Sequence, residues 1–209
     1  MKNLTLLFSV LIFIACDQQK SSERLPFLGN TIYEENDTTY HTIQDFQLVD
    51  QDSSIVTNET FADKVYVADF FFTSCPTICP KMKAQMLRVY EKFENNDQVA
   101  ILSHTIDPTY DTVALLKDYA DRLGVKSFKW KFVTGDQDYI YDLAEKSYIS
   151  LADEDGNAPG GFVHSGAFLL VDKGRRIRGF YDGTVPEQVD VLMNDIEKLL
   201  KEYQPSAGK

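Results

Sequence analysis

The segment of residues 65–93 constrains the fold of this chain most strongly. Residues 65–73 (V-Y-V-A-D-F-F-F-T) form a nearly continuous run of β-branched and aromatic side chains. Such a run is typical of a central strand buried on both faces of a sheet. The run ends at S-C-P-T-I-C-P, and from Pro80 to Phe93 apolar residues recur at spacings of three and four. That periodicity predicts an amphipathic helix directly after the strand.

The rest of the chain continues this alternation of strands and helices. The pattern predicts a hairpin at 40–56 with its turn at 50–54, strands at 99–106, 131–134 and 166–172, a return strand starting in 173–178, and helices at 112–123, 137–148 and 187–202. Strands separated by helices favour right-handed βαβ crossovers. A length of 209 residues suits one domain. We therefore predict the α/β class, with one three-layer α/β/α domain and an N-terminal β-hairpin extension.

The charge balance narrows the class of partner. The chain has 21 Lys and Arg residues against 32 Asp and Glu residues, a formal net charge of −11. An acidic surface without a basic stripe repels phosphate backbones, so we expect no nucleic-acid partner.

The first of the three cysteines belongs to a predicted targeting signal. Lys2 precedes an apolar run from Leu4 to Ala15, and Cys16 follows it. The run is short for a membrane span and is typical of an export signal. Ile14-Ala15-Cys16 resembles the lipobox of bacterial lipoproteins, in which the cysteine is acylated. An ordinary signal cut near Cys16, or a short anchor, is the alternative.

These features predict the organisation of the whole chain. Residues 1–16 are expected to form the lipoprotein signal, 17–39 a polar tether, 40–203 the domain, and 204–209 a C-terminal tail. The protein is then exported and membrane-anchored through lipid on Cys16, with its domain outside the cytoplasm on the periplasmic side. Thiols are readily oxidised in that compartment.

Cys75 and Cys79 form the strongest functional signal. Their spacing predicts that both sulfurs lie on one face of the first helical turn, close enough for a disulfide or a shared metal ion. A helix N-terminus favours thiolate and lowers cysteine pKa values. Pro76 and Pro80 both fit a helix start. Two structural cysteines, or a plain structural disulfide, are the alternative, although such a disulfide usually closes a longer loop.

His164 is the third candidate ligand. It directly precedes the predicted strand at 166–172, from where it can reach the corner that holds the cysteines. Two thiolates and an imidazole suit copper, whereas structural zinc prefers four protein ligands. A lone histidine before a strand can equally be structural.

Other polar residues have plainer explanations. Asp111 is expected to cap the helix that begins near Thr112, with an acidic lip beside the site as the alternative. The segment around Asp153 and Asp155 is predicted to be a mobile loop that lets His164 approach or leave the sulfurs. Met82 and Met86 have core spacing, and His41 and His104 are predicted to be loop or strand-end residues.

The combination of T-S-C-P-T-I-C-P, I-D-P-T-Y-D-T and V-H-S ahead of F-L-L-V-D resembles the Sco/SenC family over roughly residues 40–203. The resemblance implies a thioredoxin-like fold and copper, as Cu(I), Cu(II) or both, held by Cys75, Cys79 and His164. It also implies delivery of copper to the dinuclear centre of cytochrome c oxidase subunit II or a similar acceptor, or reduction of that subunit's cysteines. Many members have an acidic residue before the histidine, where this chain has Val163, and a basic residue at the position of Tyr110.

Two functions follow as hypotheses. The first is a copper metallochaperone whose Cys75–Cys79 disulfide form cannot bind the metal, so that a thioredoxin-like reductant would restore it. The second is a thiol–disulfide oxidoreductase in which Cys75, predicted to be the more exposed, attacks and Cys79 resolves. A peroxiredoxin-like peroxidase is a third class. Gly166 stands where thioredoxin-like reductases commonly have a cis-proline, which argues against a general reductase. Thiol–disulfide activity, if present, is expected to be secondary to copper transfer.

Overall fold

The computed structural model describes residues 24–34, 37–156, 158 and 160–204. The predicted signal and its lipidation site Cys16 lie outside these residues. The strands in chain order are β1 (Ile32–Glu34), β2 (Asp37–Thr39), β3 (Gln47–Asp50), β4 (Ile55–Thr57), β5 (Val65–Phe71), β6 (Val99–Thr105), β7 (Trp130–Thr134), β8 (Ala152–Glu154), β9 (Phe162–His164), β10 (Ala167–Val171) and β11 (Ile177–Asp182). The helices are α1 (Cys79–Phe93), α2 (Val113–Leu123), α3 (Gln137–Lys146) and α4 (Pro186–Glu202), and Asn58–Phe61 form a short 3-10 helix.

A seven-stranded sheet in the order β11-β10-β5-β6-β7-β3-β4 forms the centre of the fold. The three middle strands β5, β6 and β7 are parallel and are joined through α1 and α2, while the outer strands pair antiparallel. Every residue of β5 and β6 is buried. The apolar run that predicted a central strand is therefore confirmed, and so is the α/β class.

The β3–β4 hairpin confirms the turn predicted at 50–54, and β1–β2 form a second hairpin closer to the N-terminus. The β8–β9 hairpin lies where the sequence predicted a mobile loop around Asp153 and Asp155. Its strands have three residues each, too short for a sequence pattern to emerge. Their pairing depends on backbone hydrogen bonds, which side-chain periodicity does not report.

The chain is already packed against the domain from Arg24 onward, within the range predicted as tether. Leu25 is buried, and its carbonyl accepts a hydrogen bond from the fully buried guanidinium of Arg178. Arg178 also forms ion pairs with Asp172 and Glu202, which hold β11 to the end of α4. Across the described ranges of the chain, none of the helices combines the length and apolar character that a membrane span requires.

Candidate metal centre

The cysteine loop follows the C-terminal end of the central strand β5, and Asp111 holds it in place. The Asp111 carboxylate accepts hydrogen bonds from the backbone N–H and hydroxyl of Thr73 and from the hydroxyl of Thr105 at the end of β6. The expectation that Asp111 caps α2 is wrong, because the side chain of Thr112 accepts the capping bond from Leu115 N–H. Asp111 instead ties the start of the cysteine loop to the neighbouring strand.

The prediction that the two cysteines share the first helical turn is wrong. Helix α1 begins at Cys79, with Ile78 as its N-cap, and Cys75 lies before it in the loop. The Cys75 N–H donates to the Phe72 carbonyl, so the chain turns sharply before the helix starts. Both cysteines are free thiols. Their sulfurs nevertheless come together, because the loop folds back toward the helix start.

The β8–β9 hairpin brings His164 to the sulfurs. Its Nε2 lies 3.2 Å from the Sγ of Cys79. The two sulfurs and one imidazole nitrogen all lie within 4.8 Å of one another. The ring of Phe72 packs edge-on against His164 at 5.8 Å and at a tilt against Phe162 at 5.1 Å. The residue after β5 thus supports the hairpin that carries the histidine. The proximity predicted from the sequence is therefore present in the structure.

A backbone carbonyl selects the histidine tautomer. The Nδ1 of His164 lies 3.2 Å from the carbonyl oxygen of Ser165, which can only accept. Nδ1 therefore carries the proton and Nε2 presents its lone pair toward Cys79. Burial lowers the pKa of His164, and hydrogen bonds to the Ser165 and Phe70 backbone only partly oppose this. The imidazole is thus kept neutral, the form that binds metals.

The two thiols ionise differently. Burial disfavours the Cys75 thiolate, but N–H groups of Thr77 and Cys79 and the neighbouring Cys79 side chain outweigh it and lower the pKa of Cys75. Burial raises the pKa of Cys79 well above the usual value for a thiol. Cys75 is therefore the sulfur that ionises first. The predicted lowering of the pKa holds for Cys75 and is wrong for Cys79, where burial outweighs the helix start.

Both sulfurs are nearly covered. Cys75 is 8% exposed and Cys79 is 6% exposed, a small difference in the predicted direction. A cavity of about 190 Å³ nevertheless opens beside the site, lined by Cys75, His164, Phe72 and Phe162 among others. Cys79 does not line it. Cys75 and His164 are therefore the two proposed ligands that can be reached from this cavity.

The remaining residues singled out in the sequence lie elsewhere. The Nε2 of His41 donates to the Ser147 carbonyl, 2.7 Å away, and Met82 and Met86 are buried in the core. His104 is enclosed within β6. In the part of the chain that the structure describes, no further Cys, His, Asp or Glu joins the Cys75, Cys79 and His164 group.

Sequence reasoning missed Asp69, which lies in the middle of β5 and is 5% exposed. Burial raises the pKa of its carboxyl to about 7, although a hydrogen bond from Ser103 opposes the shift. Asp69 interrupts an otherwise apolar run in the sequence, and a lone carboxyl in a central strand is a signal that could have found it.

A sequence model of the SCO1/SenC family matches residues 34–201. The chain belongs to this family. Among solved Sco structures, a SCO1/SenC lipoprotein from Bacillus anthracis superposes with a TM-score of 0.70 at 27% identity, over 77% of this chain and 95% of that one. BsSco, described as a Sco member with a disulfide switch and as belonging to a family of cytochrome c oxidase assembly proteins, superposes at 0.68 with 29% identity, over 77% and 94%. The copper-bound ScoI of Bradyrhizobium japonicum shares the fold at 0.60, with 24% identity over 76% and 99%. The thioredoxin-like Sco fold is thus confirmed.

Proposed function

We propose that this Sco-family chain is a copper metallochaperone that assists assembly of the dinuclear copper centre of cytochrome c oxidase. Cys75, Cys79 and His164 hold the copper, and subunit II or a similar protein accepts it. The observation that supports this proposal most directly is the convergence of two sulfurs and one imidazole nitrogen within 4.8 Å.

The donor set favours copper over its main competitor. Thiolate sulfur and imidazole nitrogen are ligands that Cu(I) accepts in three-coordinate sites, and nitrogen helps to accommodate Cu(II). Structural zinc takes four protein ligands, and within the described residues this group offers three. The Nδ1 hydrogen bond to the Ser165 carbonyl orients the ring for Nε2 ligation.

The arrangement also suits release of the metal. Cys75 and His164 line the open cavity, so incoming ligands of an acceptor can replace them one at a time. The Cys75–Cys79 disulfide offers no thiolate, so a thioredoxin-like reductant is needed to prepare the site for loading. We further propose that lipid on Cys16 anchors the exported chain to the membrane with its domain on the periplasmic side.

A thiol–disulfide oxidoreductase that reduces cysteines of an exported respiratory partner is the second candidate. The lowered pKa of Cys75 and the raised pKa of Cys79 favour it, because an attacking and a resolving thiol differ in this way. Such an enzyme has no need of His164. Copper binding and its dependence on His164 therefore separate the two functions.

The test is an anaerobic Cu(I) titration of the reduced chain, repeated with Cu(II) while a thiolate-to-copper charge-transfer band is followed. We expect one-to-one binding that is lost in Cys79→Ser and strongly weakened in His164→Ala. His41→Ala is the matched control, since that imidazole also contacts a backbone carbonyl but lies outside the site. Loaded protein is then mixed with the copper-free soluble domain of subunit II. Weak binding that is indifferent to His164, or no transfer, would favour the oxidoreductase.

A further inference from the structure

A groove between helix α3 and strand β8 lies outside the metal centre. It has a volume of about 500 Å³, which is within the usual range of ligand-binding clefts. Its walls come from the helix, from the connection that follows it and from the strand. They include Tyr141, Asp142 and Glu145 on α3, Ile149 and Leu151 in the connection, and Asp153 on β8. We refer to this cleft as the α3–β8 groove.

Two apolar side chains in the groove are left in solvent. Ile149 is 46% exposed and Leu151 is 56% exposed. A single exposed aliphatic side chain is ordinary on a protein surface. Two of them on the walls of one cleft form an apolar patch of the kind that binds a partner. The groove therefore offers a place for an apolar anchor residue.

The backbone at Ile149 supports the same interpretation. Its φ is +53°, in the left-handed region, where β-branched residues are rare and glycine or asparagine is the usual choice. The N–H of Ser150 donates to the Ala144 carbonyl at 2.9 Å, so the turn after α3 fixes this conformation. Ile149 thus carries backbone strain while much of its side chain lies outside the core. Strained residues of this kind cluster at sites that bind ligands.

The charges of the groove determine which partner fits. Asp142, Glu145 and Asp153 line it, and none of the described residues that line it is Lys or Arg. Lys146 pairs with Asp142 one helical turn away, so the three carboxylates keep a net negative charge. An apolar segment flanked by Lys or Arg is complementary to both features of the groove. An anionic lipid surface would instead be repelled.

The groove adjoins the hairpin that carries His164. Strand β8 lines the groove through Asp153, and its partner β9 lines the cavity beside the sulfurs through His164. Paired strands lie only about 4.8 Å apart. The Leu151 carbonyl also accepts a hydrogen bond from the Ser165 N–H at 3.0 Å. A segment seated in the groove is therefore held next to the metal centre.

We propose that the α3–β8 groove docks a segment of the copper acceptor in which an apolar side chain is flanked by Lys or Arg. This inference rests on the proposed function, because the acceptor is the protein that takes the copper. Docking in the groove raises the effective concentration of the acceptor's ligands beside Cys75 and His164. The basic flanks increase the rate of encounter with the acidic chain.

The experiment titrates the reduced, metal-free chain, labelled with ¹⁵N, with the capped peptide K-K-L-L-K-K. We expect amide shifts at residues 149–153 and at Ser165. The capped peptide E-E-L-L-E-E has the same apolar centre and the opposite charge, so its Kd should be about tenfold larger or more. Added salt should weaken binding of the basic peptide.

Substitutions in the groove separate the apolar contribution from the charged one. Ile149→Asn removes the apolar side chain but suits a left-handed backbone, so the variant should fold while the Kd of the basic peptide rises about fivefold or more. Leu151→Ser should have a similar effect. Glu145→Gln combined with Asp153→Asn should abolish the preference for the basic peptide. Phe128→Asn is the matched control, an exposed apolar residue outside the groove, and should leave the Kd unchanged.

Several results would overturn the proposal. These are no amide shifts, shifts confined to another surface, equal affinity for the two peptides, or wild-type affinity in both Ile149→Asn and Leu151→Ser. Binding of the chain to phosphatidylcholine vesicles that is lost in Leu151→Ser would assign the groove to a membrane surface instead.

Copper measurements keep this inference separate from the proposed function. Peptide binding is followed without metal, so a chain that binds the basic peptide but no copper retains the docking groove and loses the metallochaperone role. If copper binds as expected, Ile149→Asn should keep the wild-type affinity for Cu(I) and pass it to the copper-free soluble domain of subunit II about fivefold more slowly. Unchanged transfer would overturn the docking proposal and leave the proposed function intact.

Discussion

Two buried histidines of this chain differ in what their Nε2 atoms meet. Both His164 and His104 lie near strand ends, and both place Nδ1 near a backbone carbonyl, that of Ser165 in one case and of Asp69 in the other. The Nε2 of His164 faces the Cys79 sulfur beside an open cavity. The Nε2 of His104 is buried without a hydrogen-bond partner.

The surroundings of His104 explain that difference. Its ring stacks on Phe70 at 4.7 Å and meets the rings of Tyr148 and Phe46 edge-on. His104 is thus a packing residue with an unsatisfied polar atom, whereas His164 is a potential ligand. Burial alone therefore does not separate a candidate ligand from a packing residue. The atom that faces the free ring nitrogen separates them here.

The largest expected effect comes from removing the His104 ring from among Phe70, Tyr148 and Phe46, the aromatic box around it. His104→Ala should lower the free energy of unfolding by about 3 kcal/mol or more, because a ring enclosed on all sides is replaced by a cavity. The matched change His164→Ala should cost about 1 kcal/mol, since that ring borders an open cavity. Denaturant unfolding of both variants measures the contrast. Equal losses would show that His164 is also a packing residue.

Substitution of His164 should lower copper affinity more than substitution of His104, the opposite of their order for stability. His164→Ala is expected to weaken Cu(I) binding by more than about 100-fold, which exceeds the loss typical of a residue that only orients a ligand. His104→Phe should preserve affinity, because it fills the same box without reaching the sulfurs. Competition with a chromophoric Cu(I) chelator provides the measurement. A loss in His104→Phe as large as in His164→Ala would contradict the assignment.

The pH dependence of stability should show two opposing buried groups. Burial lowers the pKa of His104 from 6.5 to about 4, so the unfolded chain binds more protons in that window and stability rises with pH. Burial raises the pKa of Asp69 from 3.8 to about 7, so the folded chain holds more protons and stability falls as pH rises. Each contribution is of the order of 3 kcal/mol, and they largely cancel in the wild type.

Single variants should expose each half of this cancellation. As pH rises from about 4 to 7, the free energy of unfolding of His104→Phe is expected to fall, because only the Asp69 contribution remains. Over about the same rise, that of Asp69→Asn is expected to increase, because only the His104 contribution remains. Denaturant midpoints measured across this range test both signs. Parallel curves for the wild type and both variants would show that neither group titrates on folding.

The sequence predicted the strand–helix framework well and the site only in part. The apolar run of β5 and the periodicity of α1 located the cysteines, because side-chain patterns report burial directly. The placement of Cys75 on the first turn of α1 was wrong, because α1 begins at Cys79 and hydrogen bonds of the preceding loop decide where Cys75 lies. The β8–β9 hairpin was missed for the same reason. Asp111 shows the limit most clearly: its three hydrogen bonds join residues that only the tertiary fold brings together.

The smallest expected effect concerns the wall beside His164. Gly166 has no left-handed backbone conformation, and a Cβ placed there would lie 3.5–3.8 Å from Thr184, Asp182 and Ile78, which is ordinary contact. Gly166→Ala should therefore raise the free energy of unfolding by about 0.4–1 kcal/mol, through the lower entropy of the unfolded chain. Copper affinity should not change, because the new methyl group meets none of the three proposed ligands. Denaturant unfolding and a Cu(I) competition titration of this variant test both statements. A clear loss of affinity would mean that the space beside His164 must stay empty for the imidazole to reach the metal, so that the position of the hairpin, and not only the residue it carries, sets copper binding.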